Sequence, residues 1–432
     1  MNHIIQILKN HTSVDEWRIN STTIHSTELF FIKDKLQMNR AKDVENIMLT
    51  VYKNFEADEK KYKGSSTIKI NPTDDESQIS EKIDQSILSA SFVKNDFYTL
   101  PTPTKKKTPK LESQFQDGDI VETISELVKE LYEEEKHSSA FVNSTEFFID
   151  KRMHQILNSN GIDVSFESYF GMLELITEEN GETEAIELFD IVNFNDFDRD
   201  FIKETIKEQL EYTSLRAKAI PLPNVKDIPV IIRGKSMNEF WDYYLAQTSA
   251  SMKFQHLHDN NIGDNIQGED ILGDTVSINL KAVIPNSVRS RFYDDEGVFL
   301  KDVVVLDKGI IKNIIATNRF AYYFDLPVSG NLQNIEIHEG SMQENELRKA
   351  PYLEVISFSA FQMDPMTGFF GGEFRLGIYH DGKKSIPVTL GTVSANIKDA
   401  QKEMFFSKER VQSNNIITPR IVKFNKMTIA GS

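Results

Sequence analysis

The sequence predicts an α+β fold, with an N-terminal part of small antiparallel sheets and long helices and a β-rich antiparallel C-terminal domain. Three observations carry this. Apolar and polar residues alternate over residues 16–52, the two-residue period of half-buried strands, and an echo of part of that stretch at Ser144–Ile149 implies a second small sheet over about Ala140–Val192. Apolar residues recur at helical spacing after Thr73, over Ile120–Glu135 and over Phe197–Ala219. Beyond a proline cluster at 221–229, short β-branched runs alternate with Gly- and Asp-containing turns.

At 432 residues the chain exceeds one ordinary core, so more than one domain is expected. The proline cluster divides it into 1–220 and 221–432. Within the first part, the linker LPTPTKKKTP (Leu100–Pro109) separates sub-parts of about 1–100 and 110–220. Lys105–Lys107, between prolines, read as an exposed loop rather than a nucleic-acid or targeting patch. Hydrophobic residues at 39% and charged residues at 27% suit a globular chain. No stretch reaches the ~18 apolar residues of a membrane span, and MNHIIQILKNH lacks the features of a signal peptide. The absence of cysteine excludes disulfides, thiolate nucleophiles and Cys-containing metal sites. A cytoplasmic location is the expectation, with no membrane partner. The formal charge of −17 disfavours a phosphate-backbone binder, so no nucleic-acid partner is expected.

The elements follow in order. Ile4, Ile5, Ile7 and Leu8 mark a short helix or docking arm. Runs at Glu16–Asn20, Thr27–Met38 and Val44–Tyr52 read as an antiparallel meander. Thr73-Asp74-Asp75-Glu76 has a capping-box form and Ile79, Ile83 and Ile87 follow, so a helix starts there. A second helix covers about Ile120–Glu135, with Ile124, Leu127, Val128 and Leu131 on one face. Ser144–Ile149 (STEFFI) echoes Ser26–Ile32 (STELFFI), which implies a second small sheet over about Ala140–Val192. No basic residues interleave these aromatics, so they read as core rather than as a base-stacking platform. The helix Phe197–Ala219 buries Phe201, Ile202, Ile206, Leu210 and Thr213. After the prolines, Val230–Ile232 reads as a buried strand, Arg233-Gly234-Lys235 as a turn, and Ser236 as N-cap of a helix Met237–Ala250.

The stretch Phe292–Asn331 is the most specific in the chain. An acidic turn, Asp294-Asp295-Glu296-Gly297, precedes an apolar run Val298–Leu306, a turn Asp307-Lys308-Gly309 and a second run Ile310–Ala316, a predicted hairpin. Aromatic Phe320–Phe324 and a Gly330-Asn331 stop follow. The carboxylates read as turn residues rather than ligands.

This order of features resembles the C-terminal domain of the TldD/PmbA family, long labelled modulators of DNA gyrase, in which an "fDdEG" turn precedes a strand pair and a "tGN" segment. Met366–Phe369 with Gly372–Ile378, Asp381-Gly382-Lys383, Pro387-Val388-Thr389, Thr392–Asn396 and Pro419–Gly431 resemble further segments of that domain. In catalytic TldD members the strand–helix unit carries H-E-x-x-x-H, two zinc-binding histidines and a water-activating glutamate. An i, i+5 pair lies ~140° apart on a regular helix, so the motif requires a distorted one. The corresponding stretch here is Asn238-Glu239-Phe240-Trp241-Asp242-Tyr243. Glu239 has its counterpart, but the ligand positions hold Asn238 and Tyr243. No histidine occurs between His154 and His256, so a shift of register restores nothing. The third ligand, a cysteine in a "C-G-K" context, is matched by Phe406-Ser407-Lys408.

The resemblance therefore implies a TldE/PmbA-like, non-catalytic chain without zinc of its own. Its partner would be a TldD-like catalytic subunit carrying the zinc, in a heterodimer that trims peptides or unfolded segments; a homodimer is the other assembly implied. Two alternatives stay open: a regulatory binding protein of gyrase-modulator type, and an independent hydrolase using Glu239 with His256 and His258. On a strand, those two histidines would share a face as metal ligands can. No Gly-rich phosphate loop or G-x-S-x-G context is present.

Overall fold

The N-terminal elements are helix α1 (Asn2–Asn10), strands β1 (Glu16–Ile32), β2 (Lys35–Ala57) and β3 (Lys60–Ile70), helices α2 (Glu76–Ser91) and α3 (Ile120–Glu135), strands β4 (Phe141–Asn158), β5 (Asp163–Asn180) and β6 (Ala185–Phe194), and helix α4 (Arg199–Ala217). The computed structural model describes residues 1–104, 109–116, 119–135, 138–181, 185–349 and 351–431. The basic loop expected at Lys105–Lys107 lies outside them.

The two expected small sheets are one. Six strands run in the order β3-β2-β1-β4-β5-β6, and β1 pairs with β4 along its length. The echoed segments meet at this seam, Leu29 opposite Phe147 and Thr27 opposite Ile149. Phe31 packs edge-on against Phe147, and Phe30 against Phe148. Joining the two meanders removes an open edge from each, which local sequence patterns do not reveal.

Alternation then decides which side of the sheet is covered. Trp17, Ile19, Leu29 and Phe31 of β1 point to the helices. The first two join a cluster with α1 and α2, the others a cluster with α3 and α4. Ile124, Leu127, Val128 and Leu131 of α3 are all buried, as expected, each stabilising by about 2 kcal/mol. The α2 cap is displaced from its expected place. Asp75, not Thr73, accepts from Gln78 N at 2.9 Å, and Gln78 returns the bond, while Asp74 closes a turn on Asn71 N at 2.7 Å. Helix α4 is two residues shorter at each end than expected, because Asp198 caps it by accepting from Phe201 N at 2.9 Å.

The C-terminal part holds two sheets around one large core. The strand Val230–Arg233 is buried between Tyr352–Met363, parallel to it, and Ile421–Phe424, antiparallel. The hairpin is shorter than expected, Val303–Asp307 paired with Ile310–Ile311 through Lys308 and Gly309 at positive φ. Beyond Ile311 the chain leaves the hairpin, with Ile315 bridging to Ser249 and Ala316 N donating to Ser329 Oγ at 2.8 Å.

The acidic turn is a joint between the two parts. Asp294 is buried and accepts from Glu296 N, Val298 N and Asn331 N at 2.9, 3.0 and 3.1 Å. Glu296 pairs with Arg18 at 3.1 Å, and Asp295 O accepts from Asn20 Nδ2 at 2.7 Å. Arg18 and Asn20 have the parity opposite to Trp17 and Ile19, so the turn docks on the sheet face away from the helices.

Candidate functional site

Val230–Arg233 delivers the chain to Gly234, where a Cβ would lie 2.2 Å from Pro419 O. Only glycine fits so close to a neighbouring backbone. The expected helix Met237–Ala250 is not continuous. A 3₁₀ segment, Gly234–Trp241, breaks at Met237 (φ −133°), and short α-helices Asp242–Gln247 and Ala250–Phe254 follow. Ser236 is not its cap; its hydroxyl donates to Ile356 O across the sheet. Phe240 and Trp241 are fully buried, Phe240 against Phe370 and Phe424, Trp241 against Phe406.

The positions that would correspond to zinc ligands point in three directions. Asn238 Nδ2 donates to Ser413 Oγ at 3.1 Å, while its Oδ1 is buried without a partner. Tyr243 is buried toward Gly368, at which an added Cβ would lie 3.5 Å from Tyr243 Cε2. Phe406 is buried on Trp241, with its N–H donating to Asp274 Oδ2 at 2.8 Å. Glu239 is exposed. An amide, a phenol and a phenyl ring do not make a zinc site, since burial pushes the Tyr243 phenol up and away from the phenolate form. These residues do not fit the metal.

His256 and His258 do not share a strand face. His256 is an exposed residue at φ +58° just past the helix Ala250–Phe254. His258 accepts at Nδ1 from Asn260 N at 3.2 Å and donates from Nε2 to Ser249 O at 2.9 Å, so both ring nitrogens hold a loop. Among the described residues, no group of three or more His, Asp or Glu side chains is placed to hold a metal ion.

A cleft of about 850 Å³ opens beside Asn238, between β6 and α4 on one side and the C-terminal sheets on the other. Ser236 of the 3₁₀ segment and Ser413, the partner of Asn238, both line it. Two of its lining residues, Arg233 and Arg348, converge on a buried carboxylate behind the wall. Glu354 accepts from Arg233 Nε at 3.0 Å and from Arg348 Nε and Nη2 at 2.8 and 3.0 Å. Burial alone would raise the Glu354 carboxyl, but the two guanidinium groups bring it below its ordinary range. Arg233 also meets Glu208 of α4 at 3.5 Å, and Lys235 meets it at 2.9 Å. Arg233-Gly234-Lys235 was legible only as a turn; its cations belong to the cleft because α4 folds over them. The other cations of the cleft, Arg348, Arg375, Arg410 and Arg420, are scattered along the chain, so no local sequence signal marks the site.

Residues 225–431 match the family model described as the PmbA/TldA metallopeptidase C-terminal domain. The chain is 21% identical over 285 residues to an uncharacterized protein of Methanocaldococcus jannaschii, an overlap of 62% of this chain and 65% of that one. The chain thus spans about two thirds of the length of that relative. Among solved structures it is similar to TldE from Thermococcus kodakarensis, with a TM-score of 0.77, 19% identity, and coverage of 100% of this chain and 99% of the other. It is similar, again at a TM-score of 0.77, to a Thermotoga maritima protein whose name provisionally assigns it to DNA gyrase modulation, at 17% identity and 99% coverage of both chains. At such identities the likeness speaks for the fold. Residues 225–431 thus carry a C-terminal domain of the PmbA/TldD metallopeptidase family, and the fold is shared with TldE from Thermococcus kodakarensis along the whole chain.

Proposed function

We propose that this chain is a TldE-like, non-catalytic partner subunit of a heterodimeric TldD/TldE-type zinc metalloprotease that degrades or trims peptides and unfolded segments. The observation that supports the reading is that the three positions which the resemblance assigns to zinc ligands hold Asn238, Tyr243 and Phe406, lying against Ser413, Gly368 and Trp241. The fold shared with TldE from Thermococcus kodakarensis supports it. The zinc would belong to a TldD-like partner. In this reading residues 221–432 form the shared domain and residues 1–220 a peptide-facing wall, and the pair works in the cytoplasm. No helix among the described residues is long and apolar enough to cross a membrane.

The test is affinity purification of the tagged chain from its native cell, with the stoichiometric partner identified by mass spectrometry. A sister chain carrying H-E-x-x-x-H is expected, with peptide cleavage only when both chains are mixed. Recovery of the chain alone, or with an unrelated target, would overturn the reading in favour of a homodimer or a regulatory role.

A further inference from the structure

The two walls of the 850 Å³ cleft carry opposite charge. The C-terminal wall presents Arg233, Lys235, Arg348, Arg375, Arg410 and Arg420 against a single carboxylate, Glu344. The facing wall, from β6 and α4, presents Asp190, Glu204, Glu208 and Glu211 against Lys207. Part of this charge is already matched. Glu208 holds Arg233 and Lys235, Glu344 holds Arg348 and Arg420, and Arg410 reaches Glu336 outside the cleft. The remainder is open. Arg375 on one wall, and Glu204 and Glu211 with the single Lys207 between them on the other, are exposed and form no side-chain ion pair among the described residues, which leaves the second wall net acidic.

The cleft is also bordered by two free sheet edges. Strand β6 ends the N-terminal sheet, and Arg410–Ser413 ends the second sheet of the C-terminal part. Leu188–Asn193 line the cleft as six consecutive residues, and Arg410–Asn414 as five. Since successive side chains of a strand point to opposite faces, an unbroken run shows that the backbone edge itself borders the space. Exposed Phe189 and Ile191 of β6 add apolar surface. Unpaired backbone donors and acceptors at such an edge accept an added strand.

We propose that this cleft binds an extended peptide whose side chains alternate in charge, acidic residues toward Arg375 and its neighbours and basic residues toward Glu204 and Glu211. A segment lying along β6 turns one set of side chains to the α4 face and the other set away from it, so the two walls read the two sets separately. A peptide of one sign would be repelled by one wall. A peptide with the same charges in blocks would mismatch half of each wall. Only the identification of the ligand as a peptide rests on the proposed function, and binding by the isolated chain needs no catalytic partner. Its failure is therefore distinguishable from failure to recover that partner.

The experiment is fluorescence anisotropy of the purified full chain with two labelled peptides of identical composition. One alternates Glu and Lys; the other carries the same residues as one Glu block and one Lys block. The alternating peptide is expected to bind at least about ten-fold more tightly, weakening as salt is raised. Arg375→Glu is expected to abolish that preference, and Glu204→Lys to do the same from the other wall. Both positions are exposed, so the variants are expected to keep the wild-type circular dichroism spectrum. Equal affinity for the two peptides, binding of neither, or an unchanged preference in both folded variants would overturn the proposal.

Discussion

Asp294 and Asn331, 37 residues apart, are joined by a 3.1 Å bond from the Asn331 backbone N–H to Asp294 Oδ2. The same carboxylate accepts two further N–H groups inside its own turn. Gly330 lies against this junction at φ +70°, where a Cβ would lie 2.6 Å from Leu300 Cδ2 and 3.0 Å from Asp294 Oδ2. The acidic turn and the Gly-Asn stop are therefore two halves of one joint, which is why they occur together in the sequence.

Removal of the joint should be costly. Asp294→Ala strands three N–H groups in a buried site and is expected to destabilise by about 3 kcal/mol. Gly330→Ala is expected to cost about 1–3 kcal/mol through backbone strain and overpacking. Urea unfolding measures both. Losses below about 1 kcal/mol in each would show the joint to be dispensable.

His154 sets a pH dependence. It lies stacked on Phe166 between Thr22 and Ser168, and burial, aided by Arg152 and Arg291, lowers its pKa from 6.5 to about 4. Between those values the unfolded chain takes up a proton that the folded chain refuses. Its contribution is thus intact above about pH 6.5 and is lost as pH falls to about 4, by up to about 3 kcal/mol. Asp294 and Glu296 act in the opposite sense. Burial raises both carboxyls, so the folded chain is favoured as pH falls through their raised values. The comparison that isolates the histidine is wild type against His154→Gln. Their stability difference should shrink from pH 7 to pH 4, and a constant difference would contradict the assignment.

Glu354 balances two guanidinium groups in a nearly dry site, its side chain only 4% exposed. Glu354→Ala leaves Arg233 and Arg348 uncompensated and is expected to cost about 3–5 kcal/mol. Glu354→Gln keeps the shape and some bonds and should cost less. Thermal and urea unfolding of both variants, with equal losses, would argue that charge is not what matters there.

The divergent directions of Asn238, Tyr243 and Phe406 predict that histidines alone do not recreate a zinc site. Asn238→His with Tyr243→His is expected to retain well under one zinc per chain after dialysis, by elemental analysis, because one side chain points to Ser413 and the other toward Gly368. One tightly held zinc per chain would show that the segment can reshape itself around a metal.

Much of the architecture was legible locally. The apolar stripe of α3 marks that helix at Ile120–Glu135, and the alternation over residues 16–52 marks strand there, but the expected run Thr27–Met38 spans the turn at Lys33-Asp34 that separates β1 from β2. The α2 cap was misplaced by two residues because Thr73, Asp74 and Asp75 are all competent caps, and only the turn that Asp74 closes on Asn71 decides among them. In place of the continuous helix Met237–Ala250 stand a 3₁₀ segment and two short α-helices, and the partners of Phe240 and Trp241, which are Phe370, Phe406 and Phe424, lie far along the chain where local propensity does not register them.

By itself the sequence determined which side-chain chemistry stands at each position and most of the local elements. Residue type fixes that Asn238 and Tyr243 offer no imidazole and Phe406 no donor atom, and amphipathic periods encode helix and strand without reference to distant residues. Tertiary structure alone decided that two meanders form one sheet, and that Asp294 and Asn331 share a joint. It also decided that cations at Arg233, Arg375 and Arg410 face carboxylates of α4 across one cleft. Strand pairing and ion placement depend on residues tens to hundreds of positions apart, and local patterns carry no record of which distant partner will be there.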